Sequence, residues 1–164
     1  MEKILVINTG GTFNKHYNPL TGELEVDKEG QAVTILAEKW KHSFELLNII
    51  GKDSLEMTGH DRLELLATIH QSKQRKILVV HGTDTIDVTA AYLADAEPQK
   101  QIILTGAMVP FSIDPTEAAA NFASAYTALQ YMKKDGIFIA MHGLIAPYTQ
   151  IAKDREVGCF VPLH

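Results

Sequence analysis

Ile4-Leu5-Val6-Ile7-Asn8-Thr9-Gly10-Gly11-Thr12 is the stretch whose reading decides the fold. Four consecutive apolar residues, bounded by glycines, describe a strand buried on both faces, and such strands belong to parallel sheets. We expect this strand over Lys3 to Asn8, running into a glycine turn with the Thr12 hydroxyl at its tip. Ile77-Leu78-Val79-Val80 repeats the pattern and runs into His81-Gly82-Thr83-Asp84-Thr85. The two turns are expected to face each other across a cleft, one supplying a nucleophilic threonine and the other helping to activate it.

Outward from these turns the chain alternates between the two periodicities. Phe13 to Gly30 is polar and reads as a long loop, with room for a short hairpin around Gly22. Gln31 to Trp40 places Val33, Leu36, Ala37 and Trp40 on one helical face. Phe44 to Ile50 reads as a strand ending in Gly51-Lys52-Asp53-Ser54, and His60 to Ser72 as a helix carrying Leu63, Leu66, Ala67 and Ile69. A strand over Lys76 to Val80, a helix over Asp87 to Ala94 and a strand over Gln101 to Leu104 follow. Asp114-Pro115-Thr116-Glu117 starts a helix: Asp114 caps, Pro115 fits the first helical position, and Glu117 sits where a capping-box acid sits. That helix is expected to run to about Lys133, before a strand over Gly136 to Met141. His142 to His164 reads as irregular, with a sixth short strand near Val157 to Val161. The expected fold is α/β: a parallel, doubly wound (Rossmann/flavodoxin-like) sheet of about five or six strands flanked by helices.

At 164 residues the chain is read as a single domain, 1–164. Its formal charge of −5 argues against a nucleic-acid partner, which selects basic faces. No stretch approaches the roughly 20 apolar residues of a membrane span, and the run from Ile4 to Ile7 is too short for a signal peptide. With one cysteine, Cys159, no internal disulfide is possible, which fits a reducing, cytoplasmic location. Seven histidines without HExxH or paired CxxC spacing lead us to expect no metal, and nothing suggests a cofactor.

In open α/β sheets ligands bind beyond the carboxyl ends of the strands. There the chain offers Thr9 and Thr12, Asp53 and Ser54, Thr83-Asp84-Thr85, Thr105, and then Tyr148, Thr149 and Lys153. Hydroxyls with a carboxylate and a lysine suit hydroxyl-nucleophile chemistry. Each motif also has a structural reading: Gly10-Gly11 as a tight turn, Thr83-Asp84-Thr85 as a helix cap, His81 as a packing or turn residue. Ser112 lacks a GxSxG elbow. Thr9-Gly10-Gly11-Thr12 lacks both GxGxxG and GK[ST] spacing and is followed by Asn14, Asn18 and Pro19 rather than a helix, so no helix N-terminus holds an anion.

Thr9-Gly10-Gly11-Thr12 and His81-Gly82-Thr83-Asp84-Thr85, in this order and spacing, resemble the bacterial-type L-asparaginase family. Asp53-Ser54-Leu55-Glu56-Met57, Thr105-Gly106-Ala107-Met108 with Pro110, and Lys153 agree. The likeness covers the family's N-terminal domain, to which typical members add a second α/β domain. Lys52-Asp53-Ser54 and Lys153-Asp154-Arg155-Glu156 resemble stretches of its short-chain members.

The resemblance implies roles. Thr12 matches the nucleophile, and Thr83 the second catalytic threonine, with Asp84 and Lys153 as partners. Ser54, after Asp53, matches the residue holding the substrate α-carboxylate, and Asp84 would also bind the α-ammonium. Amides near Gly11 and Thr83, flanked by Gly82, would form the oxyanion hole, and the Ala107 carbonyl would accept from the substrate amide. Two positions depart from the pattern. Leu55 stands where the family has a glutamine that contacts the ammonium, and the lid tyrosine falls near Leu24, so Tyr17 is the loop's only tyrosine.

The implied activity is hydrolysis of the side-chain amide of L-asparagine to aspartate and ammonia. The cleft of a lone domain would be open to water, which weakens electrostatic catalysis, so a homodimer or higher homo-oligomer that covers it is expected, without nucleic-acid or membrane partners. Glutaminase or another ω-amidase is a near alternative. A catalytically weak or inactive amino-acid-binding or sensing module on the same fold is the rival from another class.

Overall fold

The computed structural model describes residues 2–164. Its centre is a six-stranded sheet, formed by β1 (Ile4–Gly10), β4 (Glu45–Lys52), β5 (Lys76–Val80), β6 (Gln101–Thr105), β7 (Gly136–Met141) and β8 (Leu144–Pro147). The order is β4-β1-β5-β6-β7-β8, with every pair parallel except β7–β8. Every residue of β1, β5 and β6 is buried, as continuous apolar runs require.

The period-2 alternation of these strands divides the core. Ile4, Val6, Leu78, Val80 and Ile103 meet α1 (Gln31–Lys39) and α4 (Pro115–Tyr131) on one face. Leu5, Ile7, Ile77, Val79, Ile102 and Leu104 meet α2 (Gly59–Gln71) and α3 (Ile86–Asp95) on the other. The sheet is therefore doubly wound. On the α1/α4 face an aromatic cluster joins Phe44, Phe122 and Tyr126, with Phe44 and Phe122 centroids 5.3 Å apart.

Caps explain two helix starts. Thr58 and Asp61 exchange side-chain and backbone bonds in a capping box at α2. Asp114 accepts from the Thr116 amide at 3.0 Å, with Pro115 at the first helical position of α4.

Three expectations are corrected. Phe13 to Gly30 is less loop than expected: the hairpin around Gly22 is present, but its strands Lys15–Asn18 (β2) and Glu23–Val26 (β3), paired antiparallel, order much of the segment, and the chain turns through Gly22 at φ 74°. Nor is the stretch after Met141 irregular. His142 (φ 54°) and Gly143 (φ 80°) make a two-residue turn with both central φ positive, the geometry that suits a hairpin, so β8 adds antiparallel to the sheet edge. Ile151–Asp154 (β9) and Cys159–Pro162 (β10) then form a third hairpin through Gly158. Finally, Glu117 does not complete a capping box. Its carboxylate accepts from the Met108 and Val109 amides at 2.9 Å and meets His142 Nε2 at 2.6 Å.

Among the described residues no helix is long and apolar enough to cross a membrane.

Candidate active site

The carboxyl ends of β4, β1, β5 and β6 meet because glycine lets their backbones touch. A Cβ built on Gly11 would lie 2.5 Å from the Gly82 Cα, and one on Gly82 would lie 2.6 Å from the Ser54 Cβ. Gly11 also takes φ 76°, a conformation that disfavours side chains. Thr12 and Thr83 thus leave one point of contact, with Ser54 beside it.

The first turn is clamped by amides. Asn14 Nδ2 donates to the Gly10 carbonyl at 2.6 Å and to Asn8 Oδ1 at 2.8 Å, and Asn8 Nδ2 returns a bond to Asn14 Oδ1 at 2.9 Å. Asn8 Nδ2 also reaches Asn48 Oδ1 on β4. Phe13 is fully buried and stacks on Phe111 at 6.0 Å. Half-buried Thr12 is therefore fixed from both sides. The Gly11 amide donates to the Lys52 carbonyl at 2.9 Å, so it is already taken. The neighbouring Thr12 amide makes no hydrogen bond among the described residues.

The second turn is wired to charges. Lys153 Nζ donates to Thr83 Oγ1 at 2.9 Å and to Asp84 Oδ1 at 2.8 Å. Arg155 Nη1 reaches the same Asp84 oxygen at 2.8 Å, and its Nη2 reaches the Asp84 carbonyl at 2.9 Å. The Lys153 hydrogen bond holds the Asp84 carboxyl below its ordinary value, against the opposing effect of burial, and Arg155 lowers it further. The β9–β10 hairpin presents both cations. A cavity of about 140 Å³ beside them is lined by Thr83, Asp84, Asp87, Lys153, Arg155 and Phe160, among others.

Beneath this turn lies a buried polar network. Arg62 donates to Thr89 Oγ1 at 2.9 Å and to Thr85 Oγ1 at 3.1 Å. Thr85 donates to the Ser54 carbonyl at 2.9 Å, and its amide reaches Ser54 Oγ at 3.2 Å. The Thr85 hydroxyl therefore ties two strand ends together instead of capping α3. His81 is fully buried, and its ring contacts Gly82 O and Thr89 Oγ1 at 2.7 Å each.

The other expected residues fall around this centre. Ala107 is buried, and the Gly106 carbonyl before it accepts from Asn121 at 2.9 Å. Asp53 does not stand free for a ligand: its carboxylate pairs with Lys15 of β2 at 2.8 Å, tethering the β2–β3 hairpin to the turn after β4. Leu55 is 71% exposed and offers no polar atom. Tyr17 is 60% exposed, and on the hairpin it is the direct cross-strand partner of Leu24. Larger concave features lie elsewhere. One, of about 390 Å³, is an apolar groove formed by residues such as Ala94, Pro98, Phe138 and Tyr148; it gathers no constellation of this kind.

Sequence reading passed over Arg155, Arg62, Asn8 and Asn14 as functional positions. Arg155 could have been found as the second cation two residues beyond Lys153 on one strand end; the others give no local signal.

Both glycine turns, and the strands that carry them, lie within a stretch that matches a known family model. The description of that model is asparaginase, N-terminal, and it matches residues 3–157.

This chain belongs to the asparaginase family.

The L-asparaginase of Thermococcus kodakarensis is 27% identical over 164 residues, covering 95% of this chain and 49% of the relative. A glutamyl-tRNA(Gln) amidotransferase subunit of Methanococcus vannielii is also 27% identical, over 88% of this chain and 35% of the relative. Among solved structures, L-asparaginase I from Vibrio cholerae superposes with a TM-score of 0.82 at 21% identity, and the T. kodakarensis enzyme with 0.81 at 22%. Each covers 98% of this chain and 51% of the other. The family fold is thus shared, and the chain spans about half the length of the asparaginases it matches.

Proposed function

We propose that the chain hydrolyses the side-chain amide of L-asparagine to aspartate and ammonia. The observation that carries this reading is the Lys153 amine, held between the Thr83 hydroxyl and the Asp84 carboxylate in a turn whose glycine touches the turn of Thr12.

A threonine hydroxyl is a weak nucleophile and needs a base. In this reading Thr12 Oγ1 attacks the amide carbon while its proton passes to a base of the Lys153–Thr83 pair. The carbon–nitrogen bond then breaks, and the leaving nitrogen takes a proton and departs as ammonia. Water cleaves the resulting Thr12 ester, and its proton restores the hydroxyl. The Thr12 and Thr83 amides, both without acceptors among the described residues, are the proposed oxyanion donors. The Ala107 carbonyl orients the substrate amide, Ser54 binds its carboxylate, and Asp84 takes its ammonium. No cofactor is needed for these steps. We assign Tyr17 to the lid position opposite Leu24.

The amidotransferase subunits among the relatives make amide hydrolysis the broader reading and asparagine the narrower one. Exposed Leu55 supports the alternative of a binding module, since an ammonium contact is lost there. A homo-oligomer covering the open site, in the cytoplasm, completes the proposal. Ammonia release from asparagine and glutamine by wild type, Thr12→Ala and Lys153→Met tests it. Activity in wild type and its loss in both variants is expected. An active Thr12→Ala protein contradicts the assignment of the nucleophile, and calorimetric binding of aspartate without turnover supports the module.

A further inference from the structure

We infer that His81 is a positioning residue, whose buried imidazole holds the Gly82–Thr83 peptide so that the Thr83 N–H points into the cleft as an oxyanion donor. The inference rests on the amide-hydrolysis reading for the last step only.

The chain of donors has one solution. Arg62 can only donate, and its Nε gives a hydrogen bond to Thr89 Oγ1 at 2.9 Å. The Thr89 hydroxyl, fully buried, has one hydrogen left to give, and its remaining partner is His81 Nε2 at 2.7 Å. Nε2 therefore accepts, and the ring proton sits on Nδ1. From there it is donated to the Gly82 carbonyl at 2.7 Å. Burial pushes the imidazole pKa down to about 4, so the ring is neutral near pH 7 and keeps this single tautomer.

The consequence follows from peptide geometry. In a trans peptide the C=O and the following N–H point in opposite directions. No cis peptide occurs among the described residues. Drawing the Gly82 carbonyl inward to the buried ring turns the Thr83 N–H outward, and that N–H has no acceptor among the described residues. The backbone on the other side is also fixed: the His81 amide donates to the Thr105 carbonyl at 2.8 Å. Glycine flanks the peptide and would permit it to flip, so the side-chain bond is what selects one orientation. Sequence reading gives His81 a packing or turn role. The burial agrees, but packing alone does not require a fixed tautomer.

Two substitutions separate the roles. His81→Asn keeps a donor near the Nδ1 position and leaves part of the ring volume empty. His81→Gln fills more of that volume and loses the donor to Gly82. If His81 only packs, activity follows stability and the glutamine variant leads. Positioning predicts the reverse order: Gln loses roughly 10²–10³-fold in kcat, as removal of one oxyanion donor does, while Asn stays within about tenfold of wild type. Both are assayed below their own unfolding transitions, and KM for asparagine is expected to move far less than kcat.

Should His81→Asn fail to fold, Thr89→Val removes the hydroxyl that sets the tautomer and is expected to lose kcat, with Thr89→Ser restoring it. Ring ¹⁵N spectra of the wild type read the tautomer without any turnover. Nδ1–H, together with a shift of the Thr83 amide resonance on adding aspartate, is expected. An Nε2–H ring, or a glutamine variant as active as the asparagine one, overturns the inference. A wild type that hydrolyses no amide overturns the functional reading instead, and the spectra then decide the locking alone.

Discussion

The turn after β1 is held by neutral amides, whereas the turn after β5 is held by charges and a buried imidazole. Asn8, Asn14 and Asn48 clamp the first without an ionisable side chain among them. Arg62, His81, Asp84, Lys153 and Arg155 all converge on the second. Both turns end in a threonine, and their glycines touch. Under the proposed mechanism the difference divides the labour: one turn presents a hydroxyl in a fixed place, and the other handles protons. Changes at the first turn should therefore act at any pH, and changes at the second should shift pH dependence.

The largest expected effect is loss of the nucleophile. Thr12→Ala should lower ammonia release at least about 10³-fold without moving the thermal midpoint. Lys153→Met should cost about 10²–10⁴-fold, the range of general acid–base catalysis, and flatten the pH–rate profile.

Acid sensitivity is next. The unfolded His81 ring takes a proton near 6.5, and the folded one only near 4. Between these values the unfolded state binds more protons, so stability present above pH 6.5 is lost as the pH falls toward 4. The fall from 6.5 to about 4 caps this effect at roughly 3 kcal/mol. Arg62 opposes the ring's protonation and Asp87 favours it. Asp84 and Asp61, both lowered, add stability above 3.8 that is lost as the pH falls below it. Thermal melts between pH 7 and about 2.5 check the order, and His81→Asn should remove the upper part of the slope.

At the amide-held turn, Asn14→Leu removes the side-chain donor to the Gly10 carbonyl and both bonds that Asn14 exchanges with Asn8, leaving the Asn8 amide only its Asn48 partner. It should destabilise by about 1–3 kcal/mol at every pH, read by urea unfolding. The smallest effect belongs to Arg155, 62% exposed, which shares one Asp84 oxygen with Lys153. Arg155→Ala should free Asp84 for a ligand ammonium and lower KM for asparagine about threefold, the scale of an exposed ion pair, with kcat unchanged.

How much of this was legible depends on how local each interaction is. The strands at Lys76–Val80 and Gly136–Met141 begin and end where the apolar runs do. The Asp114 cap and Pro115 are equally local, and the doubly wound architecture follows from the alternation of elements. The two glycine turns announced themselves because close backbone approach requires that residue. Glu117 looked like a capping acid at its own helix start, yet two amides from the turn after β6 and a histidine from the hairpin turn compete for it and win. The Asn8–Asn14 pair is six residues apart on a backbone bend that no periodicity encodes. Tyr17 and Leu24 became neighbours only once the hairpin register was known. His142-Gly143 was a readable turn signal, overlooked because histidine is a less familiar occupant of positive φ than asparagine.

The convergence of the two turns on one ligand is tested most directly by a crystal structure grown with aspartate. The account predicts the aspartate side-chain carboxylate between Thr12 Oγ1 and Thr83 Oγ1, within hydrogen-bond distance of both, with the Thr83 amide facing it. Aspartate bound away from that gap, or a Thr12 hydroxyl turned from it, would contradict the account.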